Sequence, residues 1–66
     1  GIHRGEPVIG DHVYIGANAT VAGKITIGNK VVVGANSLVT SDVGSGVTVL
    51  GVPAVEISKN DSSAYI

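Results

Sequence analysis

Sixty-six residues limit the chain to one domain, and ten glycines with 44 % apolar but only 3 % aromatic residues describe a core packed by small β-branched side chains. The absence of cysteine excludes disulfide staples and thiolate metal sites, and a net charge of −1 offers neither a basic field for nucleic acid nor a polybasic patch for a membrane surface. Apolar runs such as Val31 to Val33 are far too short to span a bilayer and no charged leader opens the chain, so a cytoplasmic soluble protein is the expectation.

Residues 1–8 read as an entry loop leading into a first strand. From Ile9 the chain repeats itself. Residues 9–26 laid over 27–44 give seven identities in eighteen: Ile9 with Ile27, Gly10 with Gly28, Val13 with Val31, Gly16 with Gly34, Ala17 with Ala35, Asn18 with Asn36 and Val21 with Val39. Inside that unit lies a period of six, marked by Ile9, Ile15, Val21, Ile27, Val33 and Val39. Four positions after each comes a second small or apolar residue: Val13, Ala19, Ile25, Val31, Ser37 and Val43. A step of six with two inward positions matches neither an amphipathic helix nor an alternating strand. It matches a coil that turns a corner every six residues, three faces to a turn. Ile9 then stacks on Ile27, Ile15 on Val33 and Val21 on Val39 at the parallel-strand spacing.

The corners fall on His12, Asn18, Lys24, Lys30, Asn36 and Asp42, where left-handed backbone suits Asn and Asp and suits Lys less. The coils are expected to run over 9–44. A closing strand, Val47 to Leu50, and a Gly51-Val52-Pro53-Ala54 turn then occupy 45–57, with a polar tail over 58–66. Twelve inward side chains are few for a solenoid, which stacks three or more repeats. Further coils upstream, or neighbouring subunits, are expected to cover the faces, and the Gly-Ile-His start suggests a piece of a longer chain.

Three stretches in this order, EPVIGDHVYIGANATVAGKITIG, VVVGANSLVTSDV and VLGVPAVEI, cover residues 6–57. In them the chain resembles the hexapeptide-repeat acyltransferases, most closely the serine O-acetyltransferase-like branch. The resemblance implies an all-β fold, a left-handed parallel β-helix of about two to three coils. It also implies transfer of an acetyl group from acetyl-CoA to a hydroxyl or amine of a small-molecule acceptor, in a homotrimer whose active sites lie between two β-helices. Serine, a sugar hydroxyl and an amino sugar all remain open as acceptors. Nothing implies a nucleic-acid or membrane partner.

By the same resemblance the pantetheine arm of the donor lies along Ala17 and Ala35, with Gly16 and Gly34 leaving its path open. Thr40, followed by Ser41, matches a position near the cofactor's distal end. Gly51, Val52, Pro53 and Ala54 match the turn under its adenine. Tyr14 stands where several relatives carry an aromatic residue near the cofactor. Each has a plainer reading, because tight corners want small residues and an outward ring also covers strand backbone or a subunit face. Relatives often place a cation after the Val-Thr pair and another after Gly-x-Pro-Ala; here those places hold Ser41 and Val55. The general base is the weak point. The place before Pro7 that holds His in serine acetyltransferases is Glu6, a carboxylate where an imidazole suits the task better. His3 lies three residues too early, so Glu6 and His3 stand as the candidates in this chain and the principal His is expected upstream. His12 reads as a surface corner. A three-His metal site cannot be completed by two imidazoles, so no metal is expected. The alternative function, resting on Glu6, Ser41 and Val55, is a non-catalytic coil that serves trimerisation or assembly.

Overall fold

The computed structural model describes residues 6–59, so His3 and the end of the polar tail lie outside the described residues. Six two-residue strands come first: β1 (Val8–Ile9), β2 (Tyr14–Ile15), β3 (Thr20–Val21), β4 (Thr26–Ile27), β5 (Val32–Val33) and β6 (Leu38–Val39). They are followed by β7 (Thr48–Gly51) and β8 (Ala54–Ser58). Each short strand offers one inward and one outward side chain before a corner ends it, which is what a period of six requires. Strand β1 pairs with β4, β2 with β5 and β3 with β6, all parallel and all at a step of eighteen residues. Three sheets therefore form the three faces of a prism, and the chain is a left-handed parallel β-helix. Inter-coil bonds at 2.8–2.9 Å, such as Val8 N–H to Ile25 C=O and Gly16 N–H to Val33 C=O, tie the first coil to the second.

The axis is filled by Ile25, Ile27, Val31, Val33 and Val39, joined by Val47 and Val49 from the third coil. Ile9 and Ile15 depart from expectation. They stand in the inward columns, opposite Ile27 and Val33, yet they are 43 % and 39 % exposed while Val33 is 0 % exposed. The cause is position along the axis: the first described coil is stacked on one side only.

The third coil is two residues short. Val33 faces Val49 and Ile27 bridges Val43, a step of sixteen, so Val43 takes the column of Ile27 and not that of Ile25 as the six-residue period implies. The missing residues belong to the corner after β6. Asp42 fastens it, its Oδ1 accepting the Thr26 N–H at 2.8 Å. Elsewhere the corners are left-handed, with φ of 56° at His12, 62° at Asn18, 56° at Lys30 and 61° at Asn36. Lys30, judged a poor corner residue, is held there because its N–H donates to the Asp11 C=O at 2.9 Å. At the remaining corner Gly23 takes the positive φ, 92°, which leaves Lys24 in ordinary backbone. One corner carries a polar column: Asn29 Oδ1 accepts the Asp11 N–H and Ser45 Oγ accepts the Asn29 N–H, each at 2.8 Å.

Strand β7 lies parallel on β5, the chain reverses at Val52 and the cis Pro53, and β8 returns antiparallel with Leu50 opposite Val55 and Gly51 opposite Ala54. The sheet ends as β2-β5-β7-β8. Its last strand runs on to Ser58, into the region expected to be tail.

Candidate functional site

The register of the four-stranded sheet builds three outer columns. Tyr14, Val32 and Thr48 form the first. Continuing the same pairing, Gly16, Gly34 and Leu50 form the second, and Ala17, Ala35 and Gly51 the third; the Gly16 N–H to Val33 C=O (2.8 Å) and Gly34 N–H to Val49 C=O (2.9 Å) bonds hold the rungs together. Gly51 is thus more than part of the closing turn. It is the third rung of the alanine ladder, placed there by the sixteen-residue step. Ala17 and Ala35 are exposed, and the Asn36 N–H donates to the Ala17 C=O across that corner at 2.9 Å.

The glycines beside the ladder also have a cause within the stack of coils. A Cβ on Gly16 would lie 2.7 Å from Ala35 N and 2.9 Å from its Cα, so Gly16 is required by the stacking of one coil on the next and is itself buried. On Gly34 a Cβ would collide with Leu50 Cδ1, a flexible side-chain end. Close stacking thus accounts for Gly16, and the Leu50 side chain fills the space beside Gly34.

The closing turn is anchored from inside. Ser37, 2 % exposed, accepts the Gly51 N–H at its Oγ at 3.1 Å, the one inward polar side chain of the second coil reaching the third. Five of the singled-out residues, Tyr14, Ala17, Ala35, Gly51 and Pro53, thus share one sheet and its corner. Thr40 and Ser41 sit one face away, at the shortened corner after β6, and both are exposed. Ser41 lines a cavity of about 280 Å³ beneath the last coil, with Asp42 and Glu56 at its sides and Val43, Val47 and Val49 as its apolar floor. Glu6 is exposed just ahead of β1, and His12 is exposed at its left-handed corner between β1 and β2. Among the described residues no three His, Asp or Glu side chains gather as metal ligands. The sequence placed Ser37 inward and Leu50 at the end of the closing strand without giving either a part in the site; only a third-coil step of sixteen brings Ser37 to Gly51 and Leu50 under Gly34.

Short parallel strands stepping around three faces, with a ladder of small residues along one corner, define a hexapeptide-repeat β-helix protein. The bacterial transferase hexapeptide (six repeats) family pattern matches residues 6–41, and the chain belongs to that family. The serine acetyltransferase of Neisseria gonorrhoeae is similar to it at 50 % identity and a TM-score of 0.83, over 88 % of this chain and 22 % of that one. A maltose O-acetyltransferase from Clostridium difficile 630 is 40 % identical with a TM-score of 0.80, over 83 % of this chain and 29 % of that one. A hexapeptide-repeat acetyltransferase of Vibrio cholerae, solved with acetyl-coenzyme A bound, is 43 % identical with a TM-score of 0.77, over 83 % of this chain and 31 % of that one. The chain thus spans between a fifth and a third of the length of these structures. Among curated protein sequences there is no significant match.

Proposed function

We propose that this chain is the C-terminal portion of an acetyl-CoA-dependent acetyltransferase that acetylates a hydroxyl or amine of a small acceptor, a serine acetyltransferase-like enzyme of the cytoplasm. The observation that carries this reading is the 50 % identity to a serine acetyltransferase over 88 % of the chain. The Ala17–Ala35–Gly51 ladder, exposed at both alanines and half-buried at Gly51, supports it, because a narrow pantetheine arm packs closely only where side chains are small. In this reading the arm follows the ladder, Tyr14 and Pro53 flank it, Thr40 and Ser41 lie toward its acetyl end, and the adenine rests on the closing turn.

The acceptor heteroatom attacks the acetyl carbonyl carbon, its proton passes to a general base, and the C–S bond breaks to release CoA, whose sulfur takes up a proton. The base is an imidazole of the longer protein, with His3 and Glu6 the candidates within this chain. A homotrimer completes the groove with a neighbour's face. Titration of acetyl-CoA into the full-length protein tests the reading. Saturable heat is expected, weakened more than tenfold by Ala17→Trp or Ala35→Trp with the circular dichroism unchanged. A tryptophan variant that binds normally would displace the groove; no heat with the natural sequence would leave the non-catalytic coil as the better account.

A further inference from the structure

We propose that Asp61 fastens the chain beneath the last coil by accepting the Ser45 N–H at its carboxylate, as the fourth member of the polar column that runs through Asp11, Asn29 and Ser45. The segment concerned, Asn60-Asp61, follows β8 and lies outside the described residues.

The column repeats one unit. The Asp11 N–H donates to Asn29 Oδ1 at 2.8 Å while the Asp11 C=O accepts the Lys30 N–H at 2.9 Å. One coil lower, the Asn29 N–H donates to Ser45 Oγ at 2.8 Å and the Asn29 C=O accepts the Gly46 N–H at 2.9 Å. A glycine precedes each of these donors, and the acceptor uses the space its missing Cβ leaves: a Cβ on Gly10 would collide with Asn29 Oδ1, and one on Gly28 with Ser45 Oγ. The third coil carries the same pair, Gly44 before Ser45. Here no described atom lies within 4 Å of a Cβ built on Gly44, and no described residue accepts the Ser45 N–H.

Chemistry and register both select Asp61. A backbone N–H at a corner takes a short side-chain oxygen. This stack uses a carboxamide at Asn29, a hydroxyl at Ser45 and, at another corner, a carboxylate, Asp42 Oδ1 on the Thr26 N–H at 2.8 Å. The antiparallel pairing of β7 with β8 reaches Thr48 opposite Ser58. Continued one residue at a time along both chains, it sets Lys59 against Val47, Asn60 against Gly46 and Asp61 against Ser45. The chain bends at Lys59, beside the corner that the third coil turns at Gly46 with a φ of 76°. Lys59 Nζ lies 2.9 Å from Glu56 Oε2, at the side of the cavity that Gly44 also lines, and its charge offsets that of a further carboxylate brought to this end. Bonded at Ser45, the segment pins the closing hairpin at its open end as Ser37 pins it at Gly51.

Residue-resolved hydrogen exchange on the full-length protein tests this. The Ser45 amide should exchange about fivefold or more faster in Asp61→Ala than in the natural protein, while the Asp11 and Asn29 amides, whose acceptors lie within the coils, keep their rates. Asp61→Asn retains an acceptor oxygen of the Asn29 kind and should leave Ser45 protected. A change at Ser45 of less than about fivefold in Asp61→Ala overturns the proposal; if the amide is nonetheless protected, its acceptor belongs to another residue or to a neighbouring subunit. Exchange in Asp61→Asn as fast as in Asp61→Ala overturns it too, since charge and not an acceptor oxygen would then be acting. Gly44→Ala does not probe the contact, because a methyl group there meets only the end of a rotatable side chain, which can shift.

Discussion

Gly16 and Gly44 show how differently one residue type is used within a single solenoid. At Gly16 the missing Cβ makes room for the next coil, because the nearest atom it would meet is Ala35 N at 2.7 Å, a backbone atom with nowhere to go. At Gly44 nothing lies within 4 Å and the backbone is outside the left-handed region. Gly16→Ala should therefore destabilise the full-length protein by about 1–3 kcal/mol, the range of overpacking in a tight interior. Gly44→Ala should be neutral or stabilising by up to about 1 kcal/mol, through reduced freedom of the unfolded chain. Urea unfolding midpoints of the two variants measure this. Equal midpoints would mean that the coils at Gly16 are not in the contact described.

At the scale of elements, the closing hairpin depends on one bond from the core. Strand β7 hangs on β5 by its ladder, but the reversal at Gly51 is fixed by the Ser37 Oγ, a buried acceptor supplied by a different face. Removing it leaves a part-buried N–H without its partner, a cost of about 1–3 kcal/mol. We expect Ser37→Ala to lower stability by that amount and to speed hydrogen exchange at the Gly51 amide, with a higher KM for acetyl-CoA as the third rung loosens. An exchange rate at Gly51 equal to that of the natural protein would show the turn to be held by other contacts.

For the molecule as a whole the decisive feature is the sparse cover over the first described coil. Ile9 and Ile15 lie on the prism axis yet remain substantially exposed, and outward residues such as Val8, at 65 % exposure, leave apolar surface on the faces as well. Exposure of this kind reduces the apolar burial available to offset the conformational entropy of so short a chain. An isolated 66-residue peptide at micromolar concentration should not sediment as a folded monomer, whereas the full-length protein should sediment as a trimer. A well-folded monomeric peptide would refute the first expectation and remove the case for a neighbour. The peptide should also release no CoA from acetyl-CoA with serine, sugars or amino sugars. Acceptor-dependent release that vanishes in His3→Ala would reverse that expectation and name the base.

The hexad pattern by itself determined the parallel coils, the three faces, the inward columns of the first two coils and the left-handed corners at Asn18 and Asn36. It does so because each six-residue step is a local unit, with its inward residue and its corner a fixed number of positions apart. The short third coil was invisible for an equally local reason. Val43 follows Val39 by four residues, which is also the ordinary spacing of the two inward positions within a hexad, so a lost pair of residues leaves the apolar pattern intact. Only pairing between coils distinguishes the two, and it puts Val43 on Ile27, Gly51 under Ala35 and Leu50 under Gly34. The exposure of Ile9 and Ile15, the anchoring of Gly51 by Ser37 and the reason for Gly16 are likewise properties of neighbours eighteen or so residues away, which come into contact only when the coils stack.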